Sequence, residues 1–86
     1  MTANDSSAFV KKRHRISQRQ RRWLFAYLTK AAKWNATEAA RVAGYKWPNH
    51  SGPENLQKLR AHIDRAVDAR LDDHDPEIIK AWVWQL

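Results

Sequence analysis

The chain has 86 residues, no cysteine and a formal net charge of +7. This length suits one small domain, and the absence of cysteine excludes disulfide bonds and thiolate metal sites. Four scattered histidines leave little else from which to build a metal site. We expect a soluble intracellular protein, because the sequence shows neither an apolar signal core nor a run of roughly 18 apolar residues.

Positive charge is concentrated in the N-terminal half. Residues 1–46 contain eleven Lys and Arg against two acidic residues, whereas residues 47–86 contain five against seven. This distribution favours a polyanionic partner at one end of the molecule and protein contacts at the other. Plain solubility is the alternative explanation of the charge.

A basic arm and a helix come first along the chain. Residues 1–16 show no hydrophobic periodicity and end in a basic run, which is typical of a flexible arm. Ser17 and Gln20 then form a capping-box pattern, and apolar residues recur behind them at helical spacing. We therefore predict a helix over about residues 18–33.

Residues 35–45 (NATEAARVAGY) predict a short helix that ends in a tight turn. Asn35 is a suitable N-cap with Glu38 at the reciprocal position, and Gly44 supplies the left-handed residue that stops a helix. The predicted helix covers about residues 36–43. A short capped helix, a turn and a further helix together make a helix-turn-helix.

The start of the next helix is ambiguous in the sequence. Pro48 can begin a helical turn, whereas Pro53 would be damaging deeper than a first turn. Ser51 with Glu54 forms a second capping-box pattern. We favour a turn around Pro48 and one helix over about residues 52–72.

A last helix is predicted over residues 76–86. Asp75 is a suitable N-cap and Pro76 suits the first helical position. The helix is apolar on nearly every side, so it either docks against the domain or forms a protein-protein surface. The candidate interface residues are Ile78, Ile79, Trp82 and Trp84.

These elements predict an all-α protein, a small helical bundle that contains a helix-turn-helix. Its expected organisation is a flexible basic arm (1–16), a helix-turn-helix DNA-binding domain (17–73) and a C-terminal apolar helix (74–86). The last helix is a candidate start of an oligomerisation region.

Three segments, in this order, resemble the small subunit of tailed-bacteriophage terminase, the DNA-packaging recognition protein. They are residues 16–28 (ISQRQRRWLFAYL), residues 35–45 (NATEAARVAGY) and residues 52–71 (GPENLQKLRAHIDRAVDARL). The resemblance implies a viral protein of the host cytoplasm, absent from the mature virion. It would bind double-stranded viral DNA at the packaging-initiation site and recruit the large terminase subunit, which carries the ATPase and nuclease activities.

The resemblance also implies a ring-shaped homo-oligomer for the intact protein. The 86 residues stop short of the family's complete oligomerisation region and of its C-terminal segment. We therefore expect the isolated segment to be monomeric.

Candidate DNA-binding residues fall into three groups. Phosphate contacts are expected from the basic arm and the start of the first helix, because cations dominate DNA affinity. These cations are Lys11, Lys12, Arg13, Arg15, Arg19, Arg21 and Arg22. Base contacts are expected from the turn and the start of the third helix. Those residues are Lys46, Asn49, His50, Ser51, Asn55 and Lys58. Arg41 is the one expected contact from the second helix.

Some of these side chains have simpler explanations. Asn55 and His50 are as easily explained by local capping or simple exposure, although Asn55 is expected on the exposed side of its helix. Trp47 is expected to cover the hydrophobic core, and packing on sugar or phosphate is the alternative. The remaining N-terminal aromatic residues are also expected in the core. They are Trp23, Phe25, Tyr27, Trp34 and Tyr45.

We predict no catalysis, no cofactor and no metal, because no nucleophile-base pair, Walker motif or paired-carboxylate pattern is present in the sequence. Two other classes stay open. A helix-turn-helix transcriptional regulator would share the same DNA chemistry, typically as a dimer on a palindromic site. A membrane-surface or scaffolding helical module is less well supported, because the cations concentrate in the N-terminal half whereas the most apolar helix is C-terminal and flanked by acidic residues.

Overall fold

The structure is a computed structural model, and it describes residues 16–71 and 74–86. Within these ranges the chain forms helices and no strand, so the all-α prediction is confirmed. The helices are α1 (Gln18–Leu28), α2 (Ala36–Val42), α3 (Pro48–Lys58), α4 (Arg60–Asp68) and α5 (Pro76–Trp84). The predicted arm lies outside the described residues except for Ile16, which is buried in the core.

Helix α1 begins at the predicted capping box. The Gln20 amide donates to the Ser17 hydroxyl at 3.0 Å, and the Ser17 amide donates to the Gln20 side chain at 2.9 Å. The predicted extension to residue 33 is wrong. The amide of Ala32 donates to the carbonyl of Ala26 at 3.1 Å, six residues back, which closes a turn where another helical turn was expected. The helix therefore ends at Leu28.

Helix α2 confirms the predicted N-cap and the predicted stop, but the reciprocal bond from Glu38 is not formed, because the Asn35 amide donates to the Ala32 carbonyl at 2.8 Å. The Asn35 side chain accepts from the Glu38 amide at 2.9 Å. Gly44 has φ +90°, and the Tyr45 amide donates to the Ala40 carbonyl at 3.0 Å, which is the long bond of a Schellman stop.

Helix α3 begins earlier than predicted. It starts at Pro48, the first helical residue, rather than near residue 52, and the carbonyl of Trp47 accepts from the amides of His50 and Ser51. Ser51 consequently lies inside the helix, and the second capping box is wrong. Pro53 also lies inside the helix.

The single helix predicted over residues 52–72 is wrong as well, because Leu59 separates α3 from α4. Leu59 has φ −103° and ψ 14°, outside the helical region. Its amide still donates to Asn55 and its carbonyl still accepts from Ile63, so hydrogen bonding continues across the break. The apolar spacing continues too, which is why the sequence pattern does not reveal it.

The core is built around α1. Helices α2 and α5 both pack on α1, while α3 packs closely on α2. Trp23 is fully buried, stacks on Tyr27 with ring centroids 4.8 Å apart, and donates its indole N–H to the Ala36 carbonyl at 3.0 Å. Phe25 and Tyr45 pack against the core, as expected. Trp34 does not, since it is 45% exposed and meets only the rim of the core, in a T-shaped contact with Tyr27.

Helix α5 docks on α1. Asp75 caps it by accepting from the Glu77 amide at 2.8 Å, as predicted. Ile79 and Val83 are buried, whereas Ile78 is about half exposed. Ile79 is therefore a core residue, and its assignment to a partner interface is wrong.

The other two interface candidates differ in exposure. Trp84 is 40% exposed and forms an edge-to-face contact with Phe25, with the ring centroids 6.3 Å apart. Trp82 is partly buried against the core. Docking leaves part of this helix uncovered. None of the helices in the described ranges is long and apolar enough to cross a membrane.

Candidate nucleic-acid interface

Helix α3 rests directly on the backbone of α2. A Cβ atom built on Gly52 would lie 2.6 Å from the Ala36 carbonyl oxygen and 2.8 Å from the Thr37 Cα. Only glycine allows two helices to approach this closely. Because the Ala36 carbonyl also accepts from Trp23, α1, α2 and α3 meet at one backbone group.

The opposite face of α3 is polar and open. Asn49 and His50 are exposed in its first turn. Together with Pro53, Glu54 and Gln57 they line a shallow groove of about 340 Å³. The predicted base-contact residues Asn49 and His50 are therefore accessible where a recognition helix would meet a groove.

Two residues of the turn before α3 are also exposed. The ammonium group of Lys46 lies 5.5 Å from the centroid of the Trp47 ring. Trp47 is 66% exposed, so the expectation that it covers the core is wrong. Its backbone sits at the N-cap of α3, and its side chain makes no capping hydrogen bond.

The start of α1 lies beside this turn. The guanidinium group of Arg19 stands 5.5 Å from the centroid of the Tyr45 ring. A recess of about 390 Å³ is lined by Ser17, Gln18, Arg19, Arg22 and Tyr45. Arg19 and Arg22 are both exposed, so two predicted phosphate contacts adjoin the turn that leads into α3.

Arg21 serves the fold rather than this surface. It is partly buried and donates to the carbonyl of Leu86 at 2.7 Å and to that of Ile16 at 3.3 Å. These bonds hold the end of α5 against the start of α1. The expectation that Arg21 contacts phosphate is therefore wrong, because its Nη1 and Nη2 atoms already donate to these two carbonyls.

The prediction that Asn55 is exposed and contacts a base is also wrong. It is 3% exposed, since it follows Gly52 by three residues and shares the α3 face that packs on α2. Within the described residues its amide nitrogen has no hydrogen-bond partner. A base contact from Asn55 would need α3 to leave α2, so Asn55 belongs to the packing of the motif.

Arg41 forms an exposed ion pair with Glu38, one helical turn earlier. Its Nε donates to Glu38 Oε1 at 3.0 Å, and its Nη2 donates to the second carboxylate oxygen. Hydrogen bonding from Arg41 lowers the pKa of Glu38, and the same bond raises the pKa of Arg41. A phosphate group would have to compete with Glu38 for this guanidinium.

The remaining candidates vary in availability. Lys58 is exposed, and its Nζ atom lies 3.7 Å from an Oε atom of Glu54, one turn earlier in α3. Ser51 is half-buried. The four cations of the predicted arm lie outside the described residues. They are Lys11, Lys12, Arg13 and Arg15.

Sequence reasoning missed the exposure of Trp47 and the stacking of Arg19 on Tyr45. The first had no usable signal, because it depends on which face of α3 meets α2. The second had none, since it depends on the packing of α2 against α1.

The exposed side chains of this surface include basic, amide, imidazole and indole groups. In the described part of the chain, no group of three or more His, Asp or Glu residues is placed to hold a metal ion. The fold and the surface define a small helical module with a helix-turn-helix. No family model, no curated protein and no solved structure matches the chain.

Proposed function

We propose that this chain is a double-stranded DNA-binding module. The start of α3 and the preceding turn approach the major groove, while the start of α1 contacts phosphate. One observation carries the proposal: α3 is seated on the α2 backbone through Gly52 with its polar first turn exposed, and the turn before it holds Lys46 and meets Arg19 and Arg22 at Tyr45. A rigid helix end beside a group of cations suits a polyanion with readable base edges.

The particular role we propose is viral genome packaging, as a terminase small subunit. Its support is the ordered resemblance of three segments together with the helix-turn-helix. In this role the module binds the packaging-initiation region and the intact protein assembles as a ring. It is a non-catalytic partner of the large subunit in the host cytoplasm.

The DNA-binding proposal is tested by the salt dependence of affinity for a DNA duplex, measured by fluorescence anisotropy. The slope of log K against log salt is negative, and we expect Arg19→Gln combined with Arg22→Gln to reduce its magnitude by about 1.8, since each phosphate contact contributes about 0.9. The matched control is Lys30→Gln with Lys80→Gln, which removes the same charge from two exposed sites away from α3. That control should leave the slope nearly unchanged.

Three outcomes would count against the proposal. Affinity of the unaltered chain that does not depend on salt would overturn the phosphate contacts. Equal slopes for the two double variants would show that the charge acts without a defined surface. Binding to anionic vesicles without binding to DNA would favour the membrane-surface alternative.

The packaging role is tested separately by the oligomeric state of the full-length protein. Light scattering should show a discrete ring. A dimer that protects a palindromic site would favour a helix-turn-helix transcriptional regulator instead.

A further inference from the structure

We propose that Trp47 is a DNA-contact residue that packs its indole ring on a backbone deoxyribose, beside a phosphate neutralised by Lys46. The inference rests on the proposed DNA-binding function and names a contact within that surface. In this role the exposed ring does not distinguish one DNA sequence from another.

The first observation is the exposure of the ring. Among the large hydrophobic side chains exposed in the described ranges, Trp47 is the most exposed, at 66%, while Trp84 reaches 40%. An uncovered indole leaves a large apolar surface in water, which packing against a partner would remove. A ring in this position is suited to contact rather than to the core.

The second observation is the way in which α3 begins. Both α3 and α5 start with a proline at the first helical position, but Asp75 caps α5 with its side chain, whereas the Trp47 side chain makes no capping bond. An aspartate before Pro48 would satisfy an amide that the indole cannot. The helix therefore forgoes a capping interaction at the position that holds the exposed ring.

The third observation is the charge around the ring, which selects the partner. Lys46 stands over the ring, and Arg19 stands over Tyr45, two residues before Trp47. The acidic residue that lines the α3 groove, Glu54, pairs with Lys58. An apolar ring with a cation beside it, on a surface that carries a further cation at Tyr45, matches a partner on which sugars alternate with phosphates.

The test compares Trp47→Ala, Lys46→Gln and Trp84→Ala in duplex binding at several salt concentrations. We expect Trp47→Ala to lose about five- to tenfold in affinity at every salt concentration with an unchanged salt slope, because it removes contact area but no charge. Lys46→Gln should instead reduce the magnitude of the salt slope by about 0.9. Trp84→Ala, which alters an exposed tryptophan on α5, should leave both quantities unchanged.

Two further measurements separate contact from folding and from base reading. Trp47→Phe keeps a ring and should retain most of the affinity, and the thermal midpoint of Trp47→Ala should equal that of the unaltered chain. The loss should be the same on two duplexes of unrelated sequence, since deoxyribose is common to both.

Several results would overturn the inference alone. They are an unchanged affinity of Trp47→Ala, a loss limited to one duplex sequence, and a loss seen only with single-stranded DNA, which would indicate base stacking. An unaltered chain that fails to bind DNA at all would overturn both this inference and the proposed function.

Discussion

Gly52 shows how one residue decides the placement of a whole helix. Its missing Cβ lets α3 approach the Ala36 carbonyl and the Thr37 Cα without an intervening side chain. Backbone atoms cannot rotate away as a side chain can, so there is no inexpensive way to accommodate a larger residue. Gly44 serves differently, because its φ of +90° ends α2 while the space around it is open.

Replacing Gly52 with alanine should therefore destabilise the domain. We expect Gly52→Ala to lower the free energy of unfolding by about 1–3 kcal/mol, because the added methyl group must push α2 and α3 apart. Urea denaturation measures this change. Gln57→Ala, at an exposed position of the same helix, controls for helix propensity and should have little effect. A Gly52→Ala variant as stable as the control would show that the two helices can separate freely.

Residue-scale prediction from the sequence succeeded at three of the four predicted N-caps, the exception being Ser51. The caps at Ser17, Asn35 and Asp75 depend on residues two or three positions apart, and all three are present. The burial of Asn55 and the exposure of Trp47 depend on which face of α3 meets α2. That face is set by Gly52, whose contact with residue 36 cannot be read from spacing along the chain.

At the scale of elements, helix starts were more predictable than helix ends. A starting cap is a short-range pattern of side chains, whereas α1 ends because later amides bond back to its last carbonyls. The break at Leu59 is similar in kind. It changes backbone direction within an unbroken apolar pattern, so periodicity alone predicted one long helix.

The contrast between two serines tests the capping interpretation. Ser17→Ala should lower the free energy of unfolding by about 0.5–2 kcal/mol, because it removes the acceptor for the Gln20 amide. Ser51→Ala should change it little, because Ser51 lies inside α3 rather than at its cap. Thermal unfolding followed by circular dichroism gives both values. Equal losses would mean that Ser51 stabilises the start of α3 after all.

At the scale of the whole molecule, α5 completes the core rather than standing apart as a separate region. Ile79 and Val83 are buried, and Arg21 ties the end of the chain to the start of α1. The sequence left docking and partner binding as alternatives for this helix. Its apolar residues surround the helix, so their pattern alone could not show which side faces α1.

Alanine substitutions at two neighbouring isoleucines measure how much the docking of α5 contributes to the free energy of unfolding. Ile79→Ala should destabilise the domain by about 2–5 kcal/mol, because it empties a fully buried site. Ile78→Ala removes a half-exposed side chain from the same helical turn and should cost far less. Chemical denaturation monitored by tryptophan fluorescence reports both, and one cooperative transition is expected. A separate early transition of α5 in the unaltered chain would show that it folds independently.

The meeting of three helices at the Ala36 carbonyl has a consequence for the thermodynamics of association. Trp23 from α1 donates to this oxygen, and Gly52 of α3 lies against the same peptide group. A ligand of α3 meets a helix whose backbone is already positioned, so little ordering of that backbone accompanies complex formation. The entropy lost on binding then falls mainly on exposed side chains such as Lys46 and Trp47, whose rotamers are free to adjust.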